Sequence, residues 1–234
     1  MPNTRPSNRR ALAAARTKDL ARLPERFAIA GTVIRPEQLH RLPERQPPEY
    51  GPWTGEPGKL AWSDVATGLA CIILRQTNAT LSGYVAVGPD HPLWLYNHDA
   101  LPAAVRNAVH GGIDYAEPCR QHGPEVVQVC HVRPDRSPSD VPGDDDHHEH
   151  DGHPDDKRWF GFRTSHPGDL VPIGDRPRHH REEGETYRSI AYVFDEVRAL
   201  ARVLKALETG SGGVSDERDR PLQIGSDTSA GDET

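Results

Sequence analysis

The chain has 234 residues, 35% of them hydrophobic, with 21 glycines, 22 prolines and a mean hydropathy of −0.73. This is too little apolar material to pack the whole length, and it predicts one ordered domain of ordinary size flanked by polar segments. The net charge of −7 is divided unevenly: residues 1–45 hold ten Lys/Arg against four Asp/Glu, leaving −13 on the rest, and no apolar run approaches the roughly 20 residues of a membrane span.

Residues 1–50 read as a basic, Pro-rich N-terminal extension, partly disordered. Asn8 to Leu23 contains good helix formers but only a thin apolar face, and Phe27 to Val33 has some β character. The basic arm, residues 1–45, is suited to a nucleic acid or an acidic partner, or is simply a solvated tail. Five prolines between residues 43 and 58 predict an extended linker, so the ordered body is expected from Trp53 onward. Met1-Pro2-Asn3-Thr4-Arg5 lacks the apolar core of a signal peptide. Three cysteines without such a signal predict a reducing, cytoplasmic setting.

Residues 51–208 are expected to form a single α+β domain. Its sheet, small and mostly antiparallel, draws on residues 68–75, 82–87, 108–115, 126–132 and 159–163. The first two strands are apolar runs joined by the polar turn Gln76-Thr77-Asn78-Ala79-Thr80, which predicts a hairpin. Residues 133–158 interrupt the pattern: Asp144 to Asp156 holds seven acids and four histidines, which predicts a disordered insert. From Thr186 to Glu208, Ile190, Phe194, Val197, Leu200, Leu204 and Leu207 recur at three and four. Arg188, Asp195, Arg198 and Arg202 occupy the other side. This predicts an amphipathic C-terminal helix packed on one face of the sheet. Residues 209–234 read as a disordered tail.

The residues suited to chemistry cluster at the ends of apolar runs. His110 stands before Gly111-Gly112, a pair that lets a ligand approach the main chain and suits an anion platform; a tight turn with a surface histidine fits equally well. His166-Pro167-Gly168-Asp169 joins an imidazole to a carboxylate. This supplies a base with its orienting partner, or two metal ligands, or merely a Pro-Gly turn closed by an Asp side chain. The expected site thus comprises His110, Asp114, His166 and Asp169 as catalytic candidates, with Gly111, Gly112, Tyr115 and His91 binding the ligand. Cys119, His122 and Cys130 form a separate candidate zinc set; two buried small residues and two surface histidines, His122 and His131, is the plainer alternative. His147-His148-Glu149-His150 reads as a loose chelator. Walker A, dinucleotide, Gly-x-Ser-x-Gly and His-Glu-x-x-His signatures are missing from the sequence.

The order of strings resembles a family of small, functionally uncharacterised proteins of actinobacteria and their phages. The strings are Gly83-Tyr84-Val85, His91-Pro92, His110-Gly111-Gly112, Cys130-His131, Trp159-Phe160-Gly161-Phe162, His166 with Asp169, Tyr187-Arg188 and Tyr192-Val193, and the resemblance covers about residues 51–207. The chain departs from it at Arg163-Thr164, in place of an Asp-Cys pair, and at Ser82, in place of a Cys. The resemblance implies no activity. From the residues themselves two functions are expected. One is a small hydrolase or group transferase using a His/Asp site on a polar or nucleotide-like substrate. The other is a non-catalytic binding protein with structural His and Cys residues and a basic arm on a protein partner.

Overall fold

A computed structural model of the chain describes residues 23–119, 124–130, 156–174 and 184–210. The helix expected over 8–23, nearly all of the insert 133–158, most of the tail 209–234 and His122 lie outside the described residues.

The fold is α+β. A hairpin of β1 (Phe27–Ile29) and β2 (Thr32–Ile34) precedes a six-stranded antiparallel sheet. The sheet consists of β3 (Gln38–His40), β4 (Lys59–Ser63), β5 (Ala70–Arg75), β6 (Leu81–Val87), β7 (Tyr115–Pro118) and β8 (Arg158–Arg163). They are arranged in the order β3-β4-β5-β6-β8-β7. One turn of helix, α1 (Ala103–Arg106), lies between β6 and β7, and the long α2 (Ile190–Glu208) follows β8.

Alternation sorts the strands into two faces. Leu60, Trp62, Cys71, Ile73, Val85, Phe160 and Phe162 share one core with Val193, Phe194, Val197, Leu200 and Leu204 of α2. Ala61, Ile72, Leu74, Tyr84, Ala86 and Trp159 form a second core on the opposite face, with Tyr115, Val126, Val127 and Val129 packed on it.

The hairpin expected across residues 76–80 is present, with Cys71 opposite Val85 and Arg75 opposite Leu81. Three expectations require correction. Of the strand expected over 108–115 only Tyr115 is in β7; residues 108–114 are a loop leading into it, because Gly111 and Gly112 hold φ of +67° and +86°, outside the strand region. The described part of 126–132 is not a strand either: Glu125–Val127 is a 3-10 turn, with the Val127 amide bonded to the Pro124 carbonyl. The ordered body also begins well before Trp53. Residues 38–40 supply β3, and the Pro-rich stretch after it folds back so that Leu42 and Trp53 are buried. Among the described residues no helix is long and apolar enough to cross a membrane.

Candidate functional site

β7 and β8 are antiparallel neighbours, with Tyr115 opposite Gly161. The loop that leads into β7 therefore lies at the same end of the sheet as the loop that leaves β8. One carries His110 and Asp114, the other His166 and Asp169. The chain returns to this end a third time, where Asp169 bridges Thr186 and the Leu170 amide bonds to the Thr186 carbonyl at 3.0 Å. That bridge sets the start of α2, so Arg188 and Tyr192 arrive beside the two loops.

The β8 exit is fixed by Thr164, buried, whose hydroxyl donates to the Leu81 carbonyl at 2.7 Å. His166-Pro167-Gly168-Asp169 then makes a tight turn. The Asp169 amide bonds to the His166 carbonyl, and Gly168 takes the φ of +89° that Pro-Gly turns require. The Asp169 side chain closes the same turn by accepting from the His166 amide at 3.0 Å.

That carboxylate, with 1% of its side chain exposed, is the hub. Its Oδ2 accepts from His110 Nε2 at 2.7 Å and lies 3.7 Å from His166 Nδ1; its Oδ1 accepts from Arg188 Nε at 2.8 Å. Burial alone raises the acid's pKa, but the hydrogen bonds from Arg188, His110 and the His166 amide outweigh it. The group sits below the usual aspartate value and is ionised at neutral pH.

An ionised carboxylate only accepts, so the hydrogen-bond network assigns the proton of neutral His110 to Nε2. Its Nδ1 then accepts from the Tyr192 hydroxyl, 3.0 Å away. The imidazole is held from three sides: the Tyr192 ring stands edge-on at 5.6 Å, the His166 ring at 5.4 Å, and the His110 amide donates to Glu196 at 2.7 Å. The Arg188 guanidinium carbon lies 4.9 Å over the Tyr192 ring.

Of the expected site residues, His110, His166 and Asp169 converge. Asp114 stands nearby, with Oδ2 2.9 Å from Arg163 Nε; burial raises its pKa, against the pull of Arg163 and His166. Gly111 serves His166 directly: a Cβ there would fall 2.0–2.5 Å from atoms of the His166 ring. Of the two amides in the anion platform expected of Gly111-Gly112, that of Gly112 bonds to the Val109 carbonyl at 3.0 Å.

His91 is not at the site. It is buried, accepts from the Leu93 amide at Nδ1 and bonds to the Leu204 carbonyl at Nε2, which pins the far end of α2. Tyr115 packs edge-on against Tyr84 on the opposite face of the sheet. The expected zinc set also needs correction. Cys119 and Cys130 are joined in a disulfide with their Cα atoms 5.2 Å apart, so neither offers a thiolate. The bond likewise runs against the expectation of three reduced thiols.

The group among the described residues that can hold a metal ion is instead His110, His166 and Asp169, whose ligand atoms all lie within 4.8 Å of one another. His166 Nδ1 is buried and without a hydrogen-bond partner among the described residues, which leaves it free to ligate. Arg188, Tyr192 and Glu196 were not expected at the site, although Arg188 and Tyr192 stand in strings that carry the resemblance. Their signal is a four-residue spacing: Tyr192 and Glu196 lie on successive turns of α2, and Arg188 stands just ahead of its Ser189 cap. No family model, no curated protein and no solved structure matches the chain.

Proposed function

We propose that this protein is a small hydrolase or group transferase whose reaction centre is His110, His166 and Asp169, acting on a polar, nucleotide-like substrate. The observation that carries this reading is the single buried carboxylate of Asp169, on which His110, His166 and Arg188 meet from three separate segments. A buried acid used only to close a turn needs no such set of partners. Asp169 orients His110 through the bond to Nε2, and His110 is the base. The His166 ring, 5.4 Å away and partly exposed, is the second proton carrier, on the leaving-group side.

A second reading adds an ion of the zinc type to the same residues. It is favoured by the orphaned His166 Nδ1, 3.7 Å from Asp169 Oδ2. Tetrahedral ligands at about 2.0–2.1 Å from zinc stand about 3.3 Å apart, so small shifts of the imidazoles would accommodate the ion. His110, His166 and Asp169 would hold the ion, and it would supply Lewis-acid activation of a water or of the substrate oxygen.

Untagged protein should be assayed on p-nitrophenyl acetate, p-nitrophenyl phosphate and bis-p-nitrophenyl phosphate. His110→Ala and Asp169→Asn should each lower turnover of the active ester by about 10²-fold or more. Wild-type turnover in both variants, or none by the wild type on any ester, would leave the non-catalytic binding role. Zinc content measured on the same preparations separates the two readings, since only the second requires His166→Ala to lose one bound ion per chain relative to wild type.

A further inference from the structure

We propose that Tyr192 is the nucleophile of this centre and that its electrophile is a phosphoryl ester, attacked to give a covalent phosphotyrosyl intermediate. This rests on the acid–base reading of the site without an ion. Tyr192, His110 and Asp169 stand in line as nucleophile, base and orienter. The phenol donates to Nδ1 at 3.0 Å, and Nε2 on the far side of the ring donates to the carboxylate at 2.7 Å. The group that a base deprotonates is the one hydrogen-bonded to its free nitrogen, and here that group is the hydroxyl of Tyr192.

The surroundings suit that role. The phenol is an ordinary hydroxyl that needs a base, and the free Nδ1 of His110 at 3.0 Å supplies one. Tyr192 lies in the first turns of α2, whose Ser189 cap and Glu56-bound Ile190 amide fix the helix start and hence the ring. Arg188 stacks over the same ring and is anchored through Nε to Asp169. Its side chain is 27% exposed, and neither terminal nitrogen has a recorded partner among the described residues. A planar cationic fork held beside a nucleophile matches the paired oxygens of a phosphate.

The step balances as follows. The O–H bond of Tyr192 breaks and its proton passes to His110 Nδ1, giving an imidazolium facing Asp169. The phenolic oxygen forms a bond to phosphorus, and the ester P–O bond breaks. The departing alkoxide takes a proton from His166. Water then attacks phosphorus and the bond from phosphorus to the Tyr192 oxygen breaks: His166, neutral after the first step, accepts the water's proton, and His110 returns its proton to the departing phenolate, so both histidines regain their starting states. The sum is ester and water giving alcohol and phosphate, with no oxidant or reductant. Arg188 stabilises the charge that gathers on the equatorial oxygens.

The full-length chain should be treated with a fluorophosphonate ester at pH 7.5, and labelled tyrosines located by mass spectrometry. Tyr50, 93% exposed, serves as the unassisted reference within the same molecule. Tyr192 should be phosphonylated about tenfold or more faster than Tyr50, and the excess should vanish in His110→Gln or, should that variant melt early, in Asp169→Asn. A smaller excess, or one that survives both substitutions, overturns the proposal. The acid–base reading fails separately. If His110→Ala and Asp169→Asn abolish ester turnover while Tyr192→Phe retains it, that reading stands and the nucleophile is water.

Discussion

At the scale of single residues, the site depends on a glycine as much as on its histidines. The His166 ring occupies the space where a side chain of residue 111 would be, and Gly111 has a φ of +67°. Gly111→Ala should therefore cost about 1–3 kcal/mol in backbone strain and should also push His166 away from Asp169. Gly31, at φ +72° with nothing within 4 Å of an added Cβ, provides the control. Urea unfolding should show a loss in both Ala variants, whereas imidazole NMR resonances of His166 should shift only in Gly111→Ala. Unmoved resonances there would mean that the ring contact does not hold His166 in place. The convergence of His110, His166 and Asp169 was legible because each stands in a small-residue loop at a strand end. Its topological reason was not, since the strands run antiparallel, with one histidine before its strand and the other after. His91 shows the opposite failure: a histidine beside a proline turn looks available in the sequence, yet its ring nitrogens bond to Leu93 and Leu204.

At the scale of elements, α2 joins the core to the site. Its inner face buries Val193, Phe194, Val197, Leu200, Ala201 and Leu204, with the Phe194 ring 5.1 Å from that of Trp62. Phe194→Ala or Leu204→Ala should each cost about 2–5 kcal/mol, the usual loss at a packed position. Arg198→Ala should cost under about 1 kcal/mol. Its ion pair to Asp64 is 3.6 Å long and its side chain partly exposed, although its guanidinium carbon also lies 5.5 Å over the Phe194 ring. Denaturant midpoints of the three variants test this ranking, and a cost at Arg198 equal to that at Phe194 would contradict it. β5, β6, β8 and α2 were legible because their apolar residues follow a period or run unbroken. β4 was hidden by Lys59, a charged residue in a buried strand. Its amine donates to the Glu125 carbonyl at 2.9 Å, and burial, against the opposing pull of Glu125, lowers its pKa to about 8. β3 was hidden by its brevity, three residues ahead of a proline-rich stretch, and β7 by the proline that ends it.

At the scale of the whole molecule, the two faces of the sheet are covered by different means. α2 seals one. On the other, among the described residues, the cover is the short segment with Val126, Val127 and Val129, tied at Cys130 to Cys119 at the end of β7. This segment has little regular structure, and its polar links to the sheet include the Lys59 bond and a 3.3 Å bond from Gln38 to Glu125. The disulfide spans 11 residues, and closing such a loop removes unfolded-state entropy worth about 2–3 kcal/mol. The double variant Cys119→Ser/Cys130→Ser should therefore melt about 5–10 °C lower, given the usual sensitivity of chains of this size. Cys71 is no substitute partner: it is buried on the α2 face, and burial, reinforced by Asp64, raises its thiol pKa well above the ordinary value. The site lies on the face and end that α2 controls, so the loss should not reach it. Phosphonylation of Tyr192 in the double variant, measured well below its melting point, should match the wild-type rate, while Lys59 should become more reactive toward an acylating reagent as its cover loosens. A fall in Tyr192 labelling that parallels the fall in stability would show instead that the two faces are coupled through the sheet, and that the disulfide supports the site as well as the fold.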